Sequence, residues 1–421
     1  MQYRKGEIHM NKVLIVGAGA QGGPCTSILS RDESIEEIRL ADIDLNQAEA
    51  VQKKIGSPKV KAMQLDAGNL EAVTKAAEGM DAIINLTVES FNEIIIKAAV
   101  KNRIHYVDTG NSAETLERYA KGQRVFDLEE DFESFGKTAL LGCGGSPGLV
   151  NVIVRYVCDQ MEEVEKICIR IGTKNIAKEG DDVVKGWNPG WSPVTALEGF
   201  AEQPCVYEDG EYKRLPIFSR PEEYPFPESF GKCLITSHLH DEVYTLPLNI
   251  KKGVQEVDFK YPVDPIAGAL VKMGFADEKE IEVRGTKILP REVLLNMLPP
   301  MGDAFLGESE ETAGEDSGAR GMLEVTVDGV MNGRKVAYKA WMGDSEFNPD
   351  ENQYLYETFG TTQIMIPLPA AVGAKMCMNG MTDAGMISSE CLNPEQFFKI
   401  MGDMGVPMEI SEQIISEKSF A

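Results

Sequence analysis

The 421-residue chain is short of positive charge, of histidine and of long apolar runs, and each shortage removes a class of function. Its 42 Lys and Arg stand against 67 Asp and Glu, a net charge of −25. Such a surface repels nucleic acid and anionic membrane, so neither is an expected partner. No apolar stretch approaches the ~18 residues of a membrane span. Residues 1–10 are polar and lack the apolar segment of a secretory signal, so the chain reads as cytoplasmic, with Met10 as its original start. The eight cysteines, at 25, 143, 158, 168, 205, 233, 377 and 391, form no C-x-x-C. That excludes a zinc-ribbon or thioredoxin-like signature and leaves reduced thiols as the default. His9, His105, His238 and His240 are the only histidines, so no metal centre is expected. No internal repeat is visible. The acidic clusters Glu129-Glu130-Asp131 and Glu308-Ser309-Glu310-Glu311 read as solvated faces. A content of 43% apolar and 26% charged residues is nevertheless that of a folded protein, and the length suits two or three domains.

What is present begins at Val13-Leu14-Ile15-Val16, an apolar, mostly β-branched run that reads as a buried strand. Gly17, Gly19 and Gly22 follow it with the spacing G-x-G-x-x-G, enclosing Ala18, Ala20 and Gln21. Gly17 suits a tight turn, Gly19 a close approach of backbone to pyrophosphate, and Gly22 a close helix–strand contact. The helix that starts near Gly23 and Pro24 would aim free N–H groups and its positive dipole end at the phosphates. A second apolar run ends in Asp42, about 20 residues on, where the acid that holds a ribose 2′-OH is expected. A carboxylate there repels a 2′-phosphate, and only Ile43 and Asp44 follow it, so the cofactor reads as NAD in preference to NADP.

The first part then alternates strand and helix, which predicts an α/β fold with a doubly wound parallel sheet of the Rossmann kind. Asp66 stands at the end of a third strand, either near the adenine or as a helix cap. Asn85 and Thr87 follow a fourth strand, at the crevice where dinucleotides lie. A fifth strand leads into Asp108, and Ala113 to about Phe135 reads as one long helix. A sixth runs into Gly142-Cys143-Gly144-Gly145-Ser146-Pro147-Gly148-Leu149-Val150-Asn151, a second strand–turn–helix elbow; Gly144, Ser146 and Pro147 are cofactor candidates there. Cys143 reads as a small packed residue, because hydride chemistry needs no thiol.

Beyond the elbow the pattern becomes α+β with an antiparallel sheet. Asp209-Gly210 and Asn332-Gly333 mark hairpins. Pro216 to Pro227 reads as irregular, and Thr236 to Leu248 as strand. On a strand, His238, His240 and Glu242 would share a face. His240 and Glu242 are the candidate proton-transfer residues, with His238, Trp187 and Trp191 as substrate contacts. Lys174, Lys185, Arg214 and Arg320 are available cations for a substrate carboxylate. The domains expected are 1–143 plus about 353–421 for the nucleotide, and 144–352 for substrate binding and dimerisation.

Four stretches in fixed order resemble the saccharopine dehydrogenase-like family: the fingerprint at 17–22, the elbow at 144–151, Trp191-Ser192-Pro193, and His240-Asp241-Glu242-Val243-Tyr244-Thr245-Leu246-Pro247. The last resembles lysine 6-dehydrogenases most. Ser146 replaces an Asp usual in the family elbow, and Asp241 replaces a Ser. The resemblance implies hydride exchange between NAD and a carbon bearing nitrogen, through an imine, in a homodimer acting on a small amino acid or amine. It also implies that Glu242 or His240 moves protons and that Asp108 or Asn85 positions the nicotinamide or the amine. A carboxynorspermidine- or homospermidine-type reductase and a non-catalytic NAD-sensing protein are the alternatives.

Overall fold

The structure is a computed structural model that describes residues 10–123, 127–175, 193–227, 230–277, 279–297, 304–307, 319–343 and 349–416. Trp187, Trp191, Lys185 and the acidic cluster at 308–311 lie outside these residues, as do the side chains of Lys174 and Arg320. The chain divides into two compact units, each taken by itself below.

The first unit holds the described residues within Met1–Val152, Gly302–Ala313 and Asn352–Met408. Its strands are β1 (Asn11–Val16), β2 (Ile35–Asp42), β3 (Val60–Gln64), β4 (Ala82–Asn85), β5 (His105–Val107) and β6 (Thr138–Leu141). Gly385–Ser388 pairs with β6 as a seventh strand. The order is Gly385–Ser388, β6, β5, β4, β1, β2, β3, parallel throughout. The central strands β4, β5 and β6 are buried at every position and β1 at all but one, as helices covering both sides of a parallel sheet require, while β2 and β3 toward the edge carry exposed charged residues. The strand order reverses between β1 and β4, which opens a crevice at their C-terminal ends.

The helix Gly22–Ser30 is buried at every position. The helix Pro367–Met378, itself buried almost throughout, packs against it. Phe305 completes this core from the short segment Ala304–Gly307. Its ring occupies the space a side chain at Gly23 would need, 2.6 Å from that missing Cβ. The Lys54 ammonium lies 4.4 Å from the centre of the ring.

The second unit holds the described residues within Ile153–Met301, Gly314–Glu351 and Glu409–Ala421. Its strands are β7 (Glu163–Asn175), β8 (Cys205–Glu208), β9 (Glu211–Arg214), β10 (Glu222–Phe226), β11 (Gly231–Ser237), β12 (Glu256–Pro262), β13 (Ile281–Val283), β14 (Thr286–Ile288), β15 (Ala319–Met331) and β16 (Arg334–Gly343). The main sheet runs β10, β11, β12, β7, β15, β16, Ser411–Ser416, with β8 paired to β12 and β9 to β8. It is mixed rather than antiparallel, because β12 runs parallel to β7. Period-2 alternation puts Ile167, Ile169, Val257, Phe259, Val325 and Val327 on one buried face. The other face is paired charge: Arg170 donates two 2.9 Å bonds to Asp258, and Lys339 meets Glu324 at 3.1 Å. Asn332 and Gly333 both take positive φ, as a two-residue hairpin turn of this hand requires.

Several local expectations change. The strand foreseen over Thr236–Leu248 stops at Ser237, and Glu242–Asn249 is a helix. Residues 242–246 are all buried, polar Glu242 and Thr245 included, so polarity along this segment follows no period by which to tell the two apart. The proline-rich stretch contains β10, an edge strand, where Pro225 can sit. The long helix from Ala113 is two, Ala113–Ala120 and Glu129–Ser134, with Gly122 at φ +63° after the first.

Replacing Phe305 by Ala should destabilise the first unit by about 3 kcal/mol. Calorimetry would show its melting transition falling by several degrees while that of the second unit stays in place.

Candidate functional site

The turn after β1 is set by close backbone packing. Gly17 has φ +100°, and a Cβ on it would lie 2.8 Å from the Leu86 carbonyl oxygen. A Cβ on Gly22 would lie 1.8 Å from the Gly17 carbonyl oxygen. Both positions therefore exclude a side chain for the sake of the fold. Gly19 differs: nothing stands within 4 Å of its missing Cβ. The bare backbone at Gly19 borders open space, and no side-chain cap closes the helix that starts at Gly22. That cradle fits a dinucleotide pyrophosphate, held by backbone N–H groups and the positive end of a nine-residue helix. Ala20 and Gln21 are partly exposed within the same turn.

Asp42 ends β2 beside this turn. Its Oδ2 accepts from the Ala18 N–H at 2.7 Å and its Oδ1 from the Asp44 N–H at 3.0 Å. One lone pair on each oxygen remains for ribose hydroxyls. Asp66 is exposed at the end of β3 and accepts from the Gly68 N–H at 2.8 Å. The helix cap is Asn69, which accepts from Glu71 and Ala72. Asn85, at the end of β4, is fully engaged. It donates to Asn92 at 2.8 Å and to Tyr106 at 3.1 Å, and accepts from both the backbone and the hydroxyl of Thr87. Its side chain fixes the loop, and Thr87 is the partly exposed residue of the pair, next to Gly17.

At the ends of β5 and β6 the buried Asp108 organises the second elbow. Its carboxylate accepts from Gly142 N–H at 2.7 Å and its carbonyl from Cys143 N–H at the same distance. Burial and the Asp108 charge beside it push the Tyr106 phenol well up. Inside the elbow the Ser146–Pro147 peptide is cis, and Gly144 N–H donates to the Pro147 carbonyl at 2.8 Å. A Cβ on Gly148 would lie 2.0 Å from the Gly144 carbonyl oxygen. Gly145 and Ser146 are left partly exposed at its tip. Cys143 is fully buried, and burial pushes its thiol up to about 12, so it is no nucleophile.

In the second unit His238 and His240 follow β11, and Glu242 opens the next helix. They do not share a strand face, yet the turn brings His240 Nδ1 into hydrogen-bond contact with the fully buried Glu242 carboxylate. The His240 ring stacks on Phe259, 4.0 Å between centres. Burial pulls this imidazole down, but the charge and hydrogen bond of Glu242, aided by Asp241, outweigh it and the net shift is upward. His238 goes the other way. Burial, then the neighbouring His240, pulls it to about 3, and its ring packs against Phe200 and Tyr261. Arg214 donates to the Gln203 carbonyl at 2.7 Å and lies over the Tyr244 ring.

Sequence reasoning overlooked Ser389 and Glu390. Ser389 donates to the Gly142 carbonyl at 2.8 Å, and Glu390 accepts from Asn151 at 2.9 Å. More than 200 residues separate them from the elbow, and no local pattern marks them.

Residues 13–140 match the saccharopine dehydrogenase NADP binding domain, and residues 144–406 the saccharopine dehydrogenase C-terminal domain. The carboxyaminopropylagmatine dehydrogenase of Synechocystis sp. is 25% identical over 94% of this chain and 97% of its own length. The carboxynorspermidine synthase of Vibrio cholerae is 23% identical over 95% and 97% respectively. The apo saccharopine dehydrogenase (L-Glu forming) of Saccharomyces cerevisiae shares the fold, with TM-score 0.65, 16% identity, and coverage of 96% of this chain and 100% of that one. With a glycine cradle for a dinucleotide and both family domains spanning its length, this chain belongs to the saccharopine dehydrogenase family and is a pyridine-nucleotide-dependent oxidoreductase acting at a carbon–nitrogen bond.

Proposed function

We propose that this enzyme uses NADH to join a cationic amine to an aldehyde-bearing amino acid, giving a secondary amine, or runs that reaction in reverse. The observation that carries the chemistry is the His240–Glu242 pair, an imidazole held above its ordinary range by a buried carboxylate. The substrate class is supported by two polyamine-related relatives that align along nearly the whole chain. A net charge of −25 also favours encounter with a cation.

A primary amine and an aldehyde condense to an imine with loss of water. Hydride and one proton then convert the imine to the amine, and NADH becomes NAD. When bound, the cofactor supplies that hydride. On this reading the protonated His240 provides the proton and Glu242 keeps it charged. Gly17, Gly19, Ala20, Gln21 and Gly22 hold the pyrophosphate, and Asp42 the adenosine ribose, which favours NAD. Asp66 borders the adenine, and Thr87, steadied by Asn85, lines the crevice. Asp108 shapes Gly144, Ser146 and Pro147 around the nicotinamide end. His238, kept neutral, adds an uncharged wall that does not repel a cationic substrate, and Trp187 and Trp191 complete the substrate contacts. We further propose a cytoplasmic homodimer.

The test is NADH oxidation over a panel of diamines, agmatine and lysine, each with and without α-amino-acid aldehydes, repeated with NADPH. Consumption that needs both amine and aldehyde, with NADH preferred, is the expected result. Reduction of NAD by lysine alone would instead favour a lysine 6-dehydrogenase-like activity. Tight NADH binding without turnover on any substrate would make the chain a nucleotide sensor.

His240→Ala should lower kcat by about 10²–10⁴-fold. In the reductive direction the rate should fall as pH rises through the His240 pKa. Glu242→Gln removes the charge that raises that pKa, so the alkaline limb should move to lower pH. A limb that stays where it was would exclude the pair from proton transfer.

Gly19→Ala should leave the melting temperature unchanged, since its Cβ meets nothing within 4 Å, yet weaken NADH binding measured by fluorescence titration. Gly22→Ala, by contrast, should cost the fold itself.

A further inference from the structure

We propose that Ser389 and Glu390 are cofactor-positioning residues, a clamp that sets the elbow Gly142–Asn151 in the shape that receives the nicotinamide end; this rests on the cofactor reading above. The two sit on a short 3-10 turn, Ser389–Cys391, directly after the seventh strand of the parallel sheet. Both are fully buried. They grip opposite ends of the elbow. Ser389 Oγ donates to the carbonyl of Gly142 at its entry, at 2.8 Å. Glu390 Oε2 accepts from Asn151 Nδ2 at its exit, at 2.9 Å.

The second grip is directional. Asn151 Oδ1 accepts from the Gly148 N–H at 2.9 Å. A carboxylate oxygen can only accept, so Glu390 requires the NH₂ end of the Asn151 amide to face it. The carbonyl end is then aimed at Gly148. Were the amide reversed, its NH₂ would confront the Gly148 N–H, donor against donor. Glu390 thus selects one orientation of Asn151, and Asn151 anchors the residue at φ +130° on which the turn closes. Gly144 N–H to the Pro147 carbonyl and Leu149 N–H to the Gly144 carbonyl, both 2.8 Å, tie the loop within this frame. Only its tip, Gly145 and Ser146, stays partly exposed. A loop fixed at both ends whose tip is partly exposed is suited to meeting a ligand at constant geometry. Neither residue belongs to the proton-transfer pair or to the glycine turn after β1.

The full-length chain is compared with Glu390→Leu, Glu390→Gln and Ser389→Ala, by NADH titration, steady-state kinetics and thermal melting. Glu390→Leu should raise Kd and KM for NADH about tenfold or more, as expected for loss of a buried bond to a charged acceptor. KM for the amine should stay unchanged. Glu390→Gln can still present an oxygen to Asn151 and should restore most of the affinity. Ser389→Ala, which removes a single hydroxyl, should weaken NADH binding in the same sense with a melting temperature close to that of the parent. If Glu390→Leu fails to fold, Ser389→Ala with Glu390→Gln decides the matter. Unchanged NADH affinity in Ser389→Ala, or amine KM rising in step with that of NADH, would overturn the clamp. A parent chain that binds no NADH would instead overturn the cofactor reading on which it rests.

Discussion

The contact on which the first unit depends is that between Gly22 and the carbonyl of Gly17. The oxygen of one residue fills the space of a side chain on the other. Any larger residue at 22 pushes the helix Gly22–Ser30 away from β1. Because that helix is buried at every position, it cannot retreat without opening the core that Phe305 and the helix Pro367–Met378 close around it. The same closeness brings the helix start, with the positive end of its dipole, to the end of β1 beside the open space at Gly19. The close packing of helix on strand is thus the consequence of one missing methyl group.

Charge is handled in three ways. The surface carries the large acidic excess. Inside, carboxylates serve as acceptors for backbone and amide N–H groups: Asp42 for Ala18, Asp108 for Gly142, Glu390 for Asn151. Each stiffens a turn at the C-terminal end of the parallel sheet. In the second unit the acids face bases across the sheet or, at Glu242, face an imidazole. His238 and His240 show how local this control is. Two residues apart, one is driven down by burial and the other is carried up by the carboxylate beside it.

The alternating strand and helix pattern of residues 11–141 and the glycine spacing were readable because each depends on neighbours in sequence. Helix periodicity, strand runs and turn chemistry all act over a few residues. The hairpin at Asn332-Gly333 was readable for the same reason. The histidine loop was harder. The pairing of His240 with Glu242 is local, but the helix that creates it was hidden in a run of uniformly buried residues. The parallel pairing of β12 with β7, the seventh strand at Gly385–Ser388 and the edge strand at Ser411–Ser416 were not legible, because each joins segments far apart in the chain.

By itself, then, the sequence determined the dinucleotide turn, the acid beside it and the residue types available for proton transfer. Those follow from backbone sterics and side-chain chemistry at short range. Tertiary structure alone decided which of these residues are free to act. It spent the Asn85 amide within the protein, buried Cys143, and shifted two neighbouring histidines in opposite directions from the ordinary imidazole value. It also brought Ser389 and Glu390 to both ends of an elbow more than 200 residues away. Hydrogen-bond partners and burial are properties of the packed chain, and no pattern within a short window of sequence encodes them.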